Sequence, residues 1–331
     1  MIYIETESKD AAFHFSVEEY IVRHYPWGEP VMMIWRTDKC AMIGGNQIVE
    51  AEIDVGFSRR HGIQIVRRLS GGGTIYTDPG ALLYTVIQPQ QAECDSQEIA
   101  RVHVAGPVVA ALNKMGVPAK IEGRNDILVD RKKVSGFAQY ARCGRLCTHG
   151  SLLYDTDLEM LARVLRADEE KIHSKALRSI RSRVTNIIDY MELPCSLAEF
   201  LELFKKHLLS DTEVVSYVPT DHDLAEINDI YRKQYGDPDW TFKRSPKFSF
   251  SNSKRFPGGK VEVNADVVSG VVNSCSIHGD FLGVSPIEDL EALFENELFR
   301  YQAFADVLRK APLRPYMGSI TQEELLSCFF E

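Results

Sequence analysis

The sequence predicts an α+β fold in two domains. Short β-rich runs are bounded by turn residues, and capped segments of helical period lie between them. No regular strand–helix–strand repeat links the two kinds of element. In order, residues 12–24 place Phe13, Val17, Tyr20 and Ile21 at helical spacing. Residues 31–35, 41–43, 64–69, 74–76 and 82–87 read as strands. Asp95 with Glu98 opens a helix that Gly116 ends. Strands follow at 127–129 and 134–140 around the turn Asp130-Arg131, then helices at 156–165, after Ser196 with Glu199, and at 223–235. Residues 241–259, with Pro246, Pro257 and Gly258-Gly259, mark a domain edge. This divides the chain into a domain of residues 1–245, a linker at 246–255 and a small α+β domain at 256–331. In that domain 260–268 and 270–277 alternate like a hairpin. Ser285-Pro286-Ile287-Glu288 reads as a capping box with proline at the first helical position, and Thr321 with Glu324 caps a last helix.

At 331 residues, 44% hydrophobic and 26% charged, the composition is that of a soluble globular protein. No run approaches ~20 uninterrupted apolar residues, so no membrane span is expected. The start Met1-Ile2-Tyr3-Ile4-Glu5 is unlike a signal peptide. Seven scattered cysteines do not form a disulfide framework, and a reducing cytoplasm is the expected location. The net charge of −9 is uneven: residues 120–183 hold 14 Lys and Arg against 9 Asp and Glu. One basic section in an acidic chain suggests an anionic small ligand or an acidic protein partner rather than nucleic acid. The run at Arg178, Arg181 and Arg183 is the sole feature favouring nucleic acid.

The most specific chemistry lies in Val66-Arg67-Arg68-Leu69-Ser70-Gly71-Gly72-Gly73-Thr74-Ile75-Tyr76. Glycines let backbone N–H groups approach and cradle an anion, and arginines add charge-assisted hydrogen bonds. There is no Gly-Lys-Ser/Thr ending of a P-loop and no G-x-G-x-x-G. The run reads as a strand–glycine turn–strand hairpin holding an anionic ligand, with a purely structural turn as the alternative. A second constellation is Gly123-Arg124-Asn125-Asp126 followed by Arg131-Lys132-Lys133-Val134-Ser135-Gly136. It is either a phosphate, magnesium or ribose site or a solvated basic turn. A third is Thr148-His149-Gly150-Ser151. Cys143, Cys147 and His149 on one strand face would permit zinc, though no fourth ligand is evident, or a thiol nucleophile with His149 as base. Inert thiols are the expectation.

Taken together and in this order, these segments, with Arg181-Ser182-Arg183-Val184-Thr185-Asn186, resemble the lipoate–protein ligases over essentially the whole chain. The resemblance implies a catalytic domain like that of biotin–protein ligases and a small C-terminal accessory domain. It implies activation of lipoate with Mg-ATP to lipoyl-AMP, then transfer to a lysine of an acceptor. Acceptors would be the lipoyl domains of 2-oxoacid dehydrogenase E2 subunits and the glycine-cleavage H protein, with the ligase itself a monomer. By position, Lys133 is the catalytic lysine touching lipoate and nucleotide. Arg68, Gly73, Thr74, Ile75 and Tyr76 contact ATP or lipoyl-AMP, while Gly72, Gly73 and His149 contact lipoate. Asn125 and Asp126 position phosphate or magnesium, and Arg181 and Arg183 lie on the adenylate-side loop. No protein-only metal site is implied.

The chain departs from the family pattern where Thr77-Asp78-Pro79-Gly80-Ala81 replaces His-Asp-x-Gly-Asn. Weaker adenylation is one consequence, in which case Ala81→Asn should raise the rate. Two other readings stay open: an octanoyl or lipoyl acyltransferase working through a cysteine thioester, with Cys147 its candidate, and a non-catalytic lipoate- or adenylate-binding protein.

Overall fold

The computed structural model describes residues 1–24, 28–90, 95–165, 182–210, 212–242, 250–268 and 270–330, and only the backbone at 50 and 51. Arg178 and Arg181 lie outside the described residues. Strands β1 (Ile2–Ile4), β2 (Val31–Trp35), β3 (Cys40–Ile43), β4 (Gln64–Arg67), β5 (Ile75–Thr77), β6 (Ala81–Pro89) and β7 (Lys120–Glu122) are followed by β8 (Asp126–Val129), β9 (Lys132–Arg142), β10 (Arg145–Leu153) and β11 (Val215–Tyr217). Eight of them form one sheet in the order β11-β1-β2-β6-β10-β9-β8-β7.

Central strand β2 reads Val-Met-Met-Ile-Trp and is buried at every position. An uninterrupted apolar run is what a strand covered on both faces requires. Met32 and Ile34 pack on one face with Val108, Leu112, Phe200 and Phe204. Those residues come from the helices Gly106–Lys114 and Leu197–Leu208. Val31, Met33 and Trp35 face the other way, onto Phe15, Ile21, Ile227 and Ile230 of the helices Ala11–His24 and Asp221–Ile230. The Ser196 capping box forms as the sequence predicts. Asp95 caps its helix by accepting from Gln97 N–H, and that helix continues through a π-helical turn at Arg101–Ala105 to Lys114.

The glycine run is not a hairpin turn. Strands β4 and β5 flank β3, parallel and antiparallel to it, so the glycines cross the end of a strand placed between them.

The small domain carries a sheet of β12 (Phe250–Phe256), β13 (Gly259–Val268) and β14 (Val271–Gly279), with Phe281, Phe294, Phe304 and Phe329 in its core. Residues 250–255, read as linker, therefore belong to an edge strand, while residues 246–249 lie outside the described residues. Its alternating half-buried and exposed pattern is that of a strand covered on one face, and Pro257-Gly258 form the hairpin bend. The helix Ile287–Glu291 begins after Pro286 without a side-chain cap, so Ser285 does not close the predicted box. Thr321 and Glu324 do cap the last helix reciprocally. Among the described residues no helix is long and apolar enough to cross a membrane.

Candidate active site

Between the large sheet and the glycine run lies a cavity of about 110 Å³. Phe15, Trp35, Met42 and Leu83 line its buried end, whereas Thr74, Ile75, Asn125, Lys133 and Gly136 line a part that is half exposed. Arg68, Gly72, Gly73 and His149 also line it. Residues from three separate sequence segments, read as one site, are thus brought together. The apolar wall was not legible as a site: Trp35 and Leu83 sit in runs that already had to be apolar to fill the sheet core.

Lys133 is set by backbone on both sides. Its N–H donates to the Arg183 carbonyl at 2.7 Å, and its carbonyl accepts from Thr185 N–H at 3.0 Å. The β8–β9 register shifts between Ile127 and Leu128, leaving Val134 as the extra residue beside Lys133. The ammonium pairs with Asp126 at 2.7 Å and passes over Gly136, where a Cβ would stand 2.7 Å from Nζ. Gly136→Ala is accordingly expected to displace the flexible lysine tip rather than the backbone. The adenylate formation that the resemblance implies should fall by up to ~10²-fold, and unfolding free energy should change by less than about 1 kcal/mol. Pyrophosphate release and urea titration read the two effects separately.

Arg68 is a brace for the loop. Its Nε donates to Ser70 Oγ at 2.9 Å, Nη1 to the Met42 carbonyl at 2.9 Å, and Nη2 to the Gly71 and Gly73 carbonyls at 3.0 and 2.7 Å. Four of the five guanidinium N–H donors are thereby engaged with the protein. The nucleotide contact inferred from the resemblance is reduced to a single remaining donor. Burial, reinforced by the like charge of Arg67, lowers its pKa to about 10, so it stays charged at neutral pH. Gly72, at φ +88°, gives its N–H to the Phe281 carbonyl of the small domain at 3.0 Å. The same domain accepts from Ala141 N–H through Val284, donates from Gly279 to the Asn46 carbonyl, and receives a hydrogen bond from Arg124 at Gly258.

His149 meets Ser70 Oγ through Nε2 at 2.6 Å and Glu18 through Nδ1 at 3.0 Å. Cys147 lies beside them, and the potential ligand atoms of Glu18, Cys147 and His149 fall within 4.8 Å of one another. Cys143 is in the preceding turn at φ +52°, exposed and off the strand face, which corrects the three-residue zinc reading. Burial holds the Cys147 thiol well above its ordinary pKa, and its surface is fully covered. A buried protonated thiol is a poor metal ligand and a poor nucleophile.

The remaining expected residues divide. Asn125 lines the cavity and gives one of its two amide N–H donors to the Phe137 carbonyl at 2.6 Å. Asp126 reaches the site as the partner of Lys133. Tyr76 is buried in the cluster behind the small sheet, with Ile53 and Leu161, so its side chain does not reach the cavity. The Arg183 backbone carbonyl accepts from Lys133 N–H. Thr77 is buried and bonded to Thr37 at 2.8 Å, and Ala81 is buried opposite Leu153. Neither lines the cavity, so an asparagine at 81 would bury an amide rather than supply one to the ligand. Gln47, unnoticed in the sequence, holds both Gly44 N–H and the Thr74 hydroxyl through one oxygen.

A cavity with a buried apolar end and an ammonium at its open part has the chemistry to hold an apolar chain that ends in an anionic head. The sequence matches the family description "Lipoyl protein ligase A/B catalytic domain" over residues 10–209 and "Bacterial lipoate protein ligase C-terminus" over 245–329. Lipoate-protein ligase LplJ of Bacillus subtilis is 34% identical, with 100% of each chain covered. Among solved structures, Plasmodium falciparum LipL1 in complex with lipoate has a TM-score of 0.80 at 20% identity, covering 94% of each chain. A lipoate-protein ligase A bound with ATP has a TM-score of 0.63 at 25% identity, covering 73% of this chain and 97% of that one. A bipartite ligase from Thermoplasma acidophilum, described with its E2 lipoyl domain, has 0.66 at 26%, covering 75% and 98%. The chain belongs to the lipoate–protein ligase family, a family of ATP-dependent ligases.

Proposed function

We propose that this chain activates lipoate with Mg-ATP to lipoyl-AMP and pyrophosphate, then transfers the lipoyl group to a lysine of an acceptor protein. The observation that carries this reading is the Lys133 ammonium held over Gly136 beside a cavity whose other end is Phe15, Trp35, Met42 and Leu83. An apolar tail fills that end and leaves its carboxylate near the lysine. Attack on the α-phosphate brings two anions together, and Lys133 offsets their repulsion and the charge developing on the phosphoryl oxygens. The adenylate is already reactive, so transfer to a neutral amine rests on proximity. Magnesium arrives with the nucleotide. Asp126 is paired with Lys133, and no carboxylate lines the cavity among the described residues, so the donor set suits Mg-ATP as substrate rather than a resident ion.

Acceptors are the lipoyl domains of E2 subunits and the glycine-cleavage H protein. The cytoplasm is the proposed location, in keeping with six described cysteines that are all free thiols. A large catalytic unit and a smaller accessory unit divide the work. The thioester route would need a nucleophilic thiol, and Cys147 is buried with a raised pKa.

Intact-mass analysis of a purified lipoyl domain tests the reading, after incubation with the protein, lipoate and magnesium, with and without ATP. An ATP-dependent gain of one lipoyl group, retained in Cys147→Ser, is the expected result. A gain without ATP that Cys147→Ser abolishes would establish the thioester route instead. Lipoate binding with neither pyrophosphate nor mass gain would leave a binding protein.

A further inference from the structure

Behind the cavity, buried polar groups form one continuous chain. Trp35 Nε1 donates to Thr85 Oγ1 at 3.0 Å, and the Thr85 hydroxyl donates to Glu18 Oε1 at 2.6 Å. From the other side, His149 Nδ1 stands 3.0 Å from Glu18 Oε2, and His149 Nε2 stands 2.6 Å from Ser70 Oγ. Arg68 Nε donates to the same Ser70 oxygen and then grips the carbonyls of Gly71 and Gly73. All six side chains are buried. Trp35, His149 and Arg68 line the cavity, whereas Glu18 sits behind it, one hydrogen bond from His149 and two from Trp35.

The donors run inward from both ends. Because a carboxylate only accepts, the ring nitrogen facing Glu18, Nδ1, is the one that carries hydrogen. In the neutral ring Nε2 is then an acceptor, and the Ser70 hydroxyl donates to it while its oxygen accepts from Arg68. Thr85, receiving from Trp35, also donates to Glu18. A carboxylate accepts on both oxygens, so Glu18 is the one group that closes both arms without a clash of donors. Such networks order their members together and lose that order when a single acceptor becomes a donor.

We infer that Glu18 is a positioning residue that couples the acyl end of the cavity to the glycine loop, so that a bound acyl chain raises the affinity for nucleotide. The inference rests on the ligase reading. An acyl chain against Trp35 and His149 fixes both arms of the chain. Through Ser70 and Arg68 that fixing reaches the carbonyls of Gly71 and Gly73, on either side of Gly72, whose N–H donates to the Phe281 carbonyl of the small domain. Glu18→Gln keeps shape and volume but brings an NH₂ group against one of two donors. Facing His149 it forces the His149–Ser70 bond to reverse or break, and facing Thr85 it removes the acceptor of the Thr85 hydroxyl.

Calorimetric titration of the full chain with an α,β-methylene ATP analogue, with and without saturating lipoate, reads the coupling. In the unmodified protein lipoate is expected to tighten analogue binding at least about fivefold, within the usual range of coupling between sites. Glu18→Gln is expected to bring that ratio below about twofold, while lipoate alone still binds. Should Glu18→Gln not fold, Thr85→Val removes the donor on the Trp35 arm at nearly constant volume and should lower the ratio likewise. A ratio of one in the unmodified protein overturns the inference, and so does a full ratio in either folded variant. ATP-dependent lipoyl transfer accompanied by a ratio of one would sink only the coupling. Failure of the unmodified protein to bind lipoate at all would sink the ligase reading with it.

Discussion

Lys133→Ala is expected to abolish both adenylate formation and lipoyl transfer, with a loss of at least about 10²–10³-fold in the first step. Its folding should change little. The side chain and that of its partner Asp126 are each a little over one-third exposed, a setting in which an ion pair contributes about 0–1 kcal/mol. The backbone bonds to Arg183 and Thr185 do not depend on the side chain and persist in the variant. Lys133→Arg should restore little, because the slot over Gly136 admits a slender ammonium and a planar guanidinium is wider. Pyrophosphate release reports the first step and acceptor mass the second. Full activity of a folded Lys133→Ala protein would remove the lysine from the mechanism and leave the cavity without its central cation.

The parts of the molecule legible in the sequence were those governed by local period and local chemistry. The helix Ala11–His24, the runs around β2 and β6, the Asp130-Arg131 turn at positive φ and the Ser196 cap follow from spacing over a few residues. Gathering Lys133, Asn125, His149 and the glycine loop required the resemblance, since nothing local ties residue 73 to residue 133. Three features were hidden for physical reasons. Strand β3 enters between β4 and β5 by a long-range pairing, so adjacent runs read as a hairpin. The apolar cavity wall uses the residue types of the core around it. Glu18 and Glu19 have the charge of a solvated helix face, yet both are buried, with partners Thr85, His149 and Arg142 from elsewhere in the fold and Arg23 from one turn along the same helix.

Arg68→Ala separates a brace from a ligand contact. It strands the carbonyls of Met42, Gly71 and Gly73 and the hydroxyl of Ser70, all near a buried guanidinium. Each unsatisfied buried group costs roughly 1–3 kcal/mol. With water or local shifts recovering part of this, the expected destabilisation is on the order of 3–5 kcal/mol. Adenylate formation should fall with it, because the glycine loop loses the group that holds Gly71 and Gly73 in place. Arg68→Lys is expected to recover little. Three donors on one compact ammonium do not span four acceptors set around a planar fork. A nucleotide contact behaves oppositely: its removal would raise KM for ATP at nearly unchanged stability, and lysine would partly replace it. Urea unfolding of Arg68→Ala and Arg68→Lys, set beside their KM for ATP, distinguishes the two roles. Four of five donors already committed to the loop make the brace the expected result.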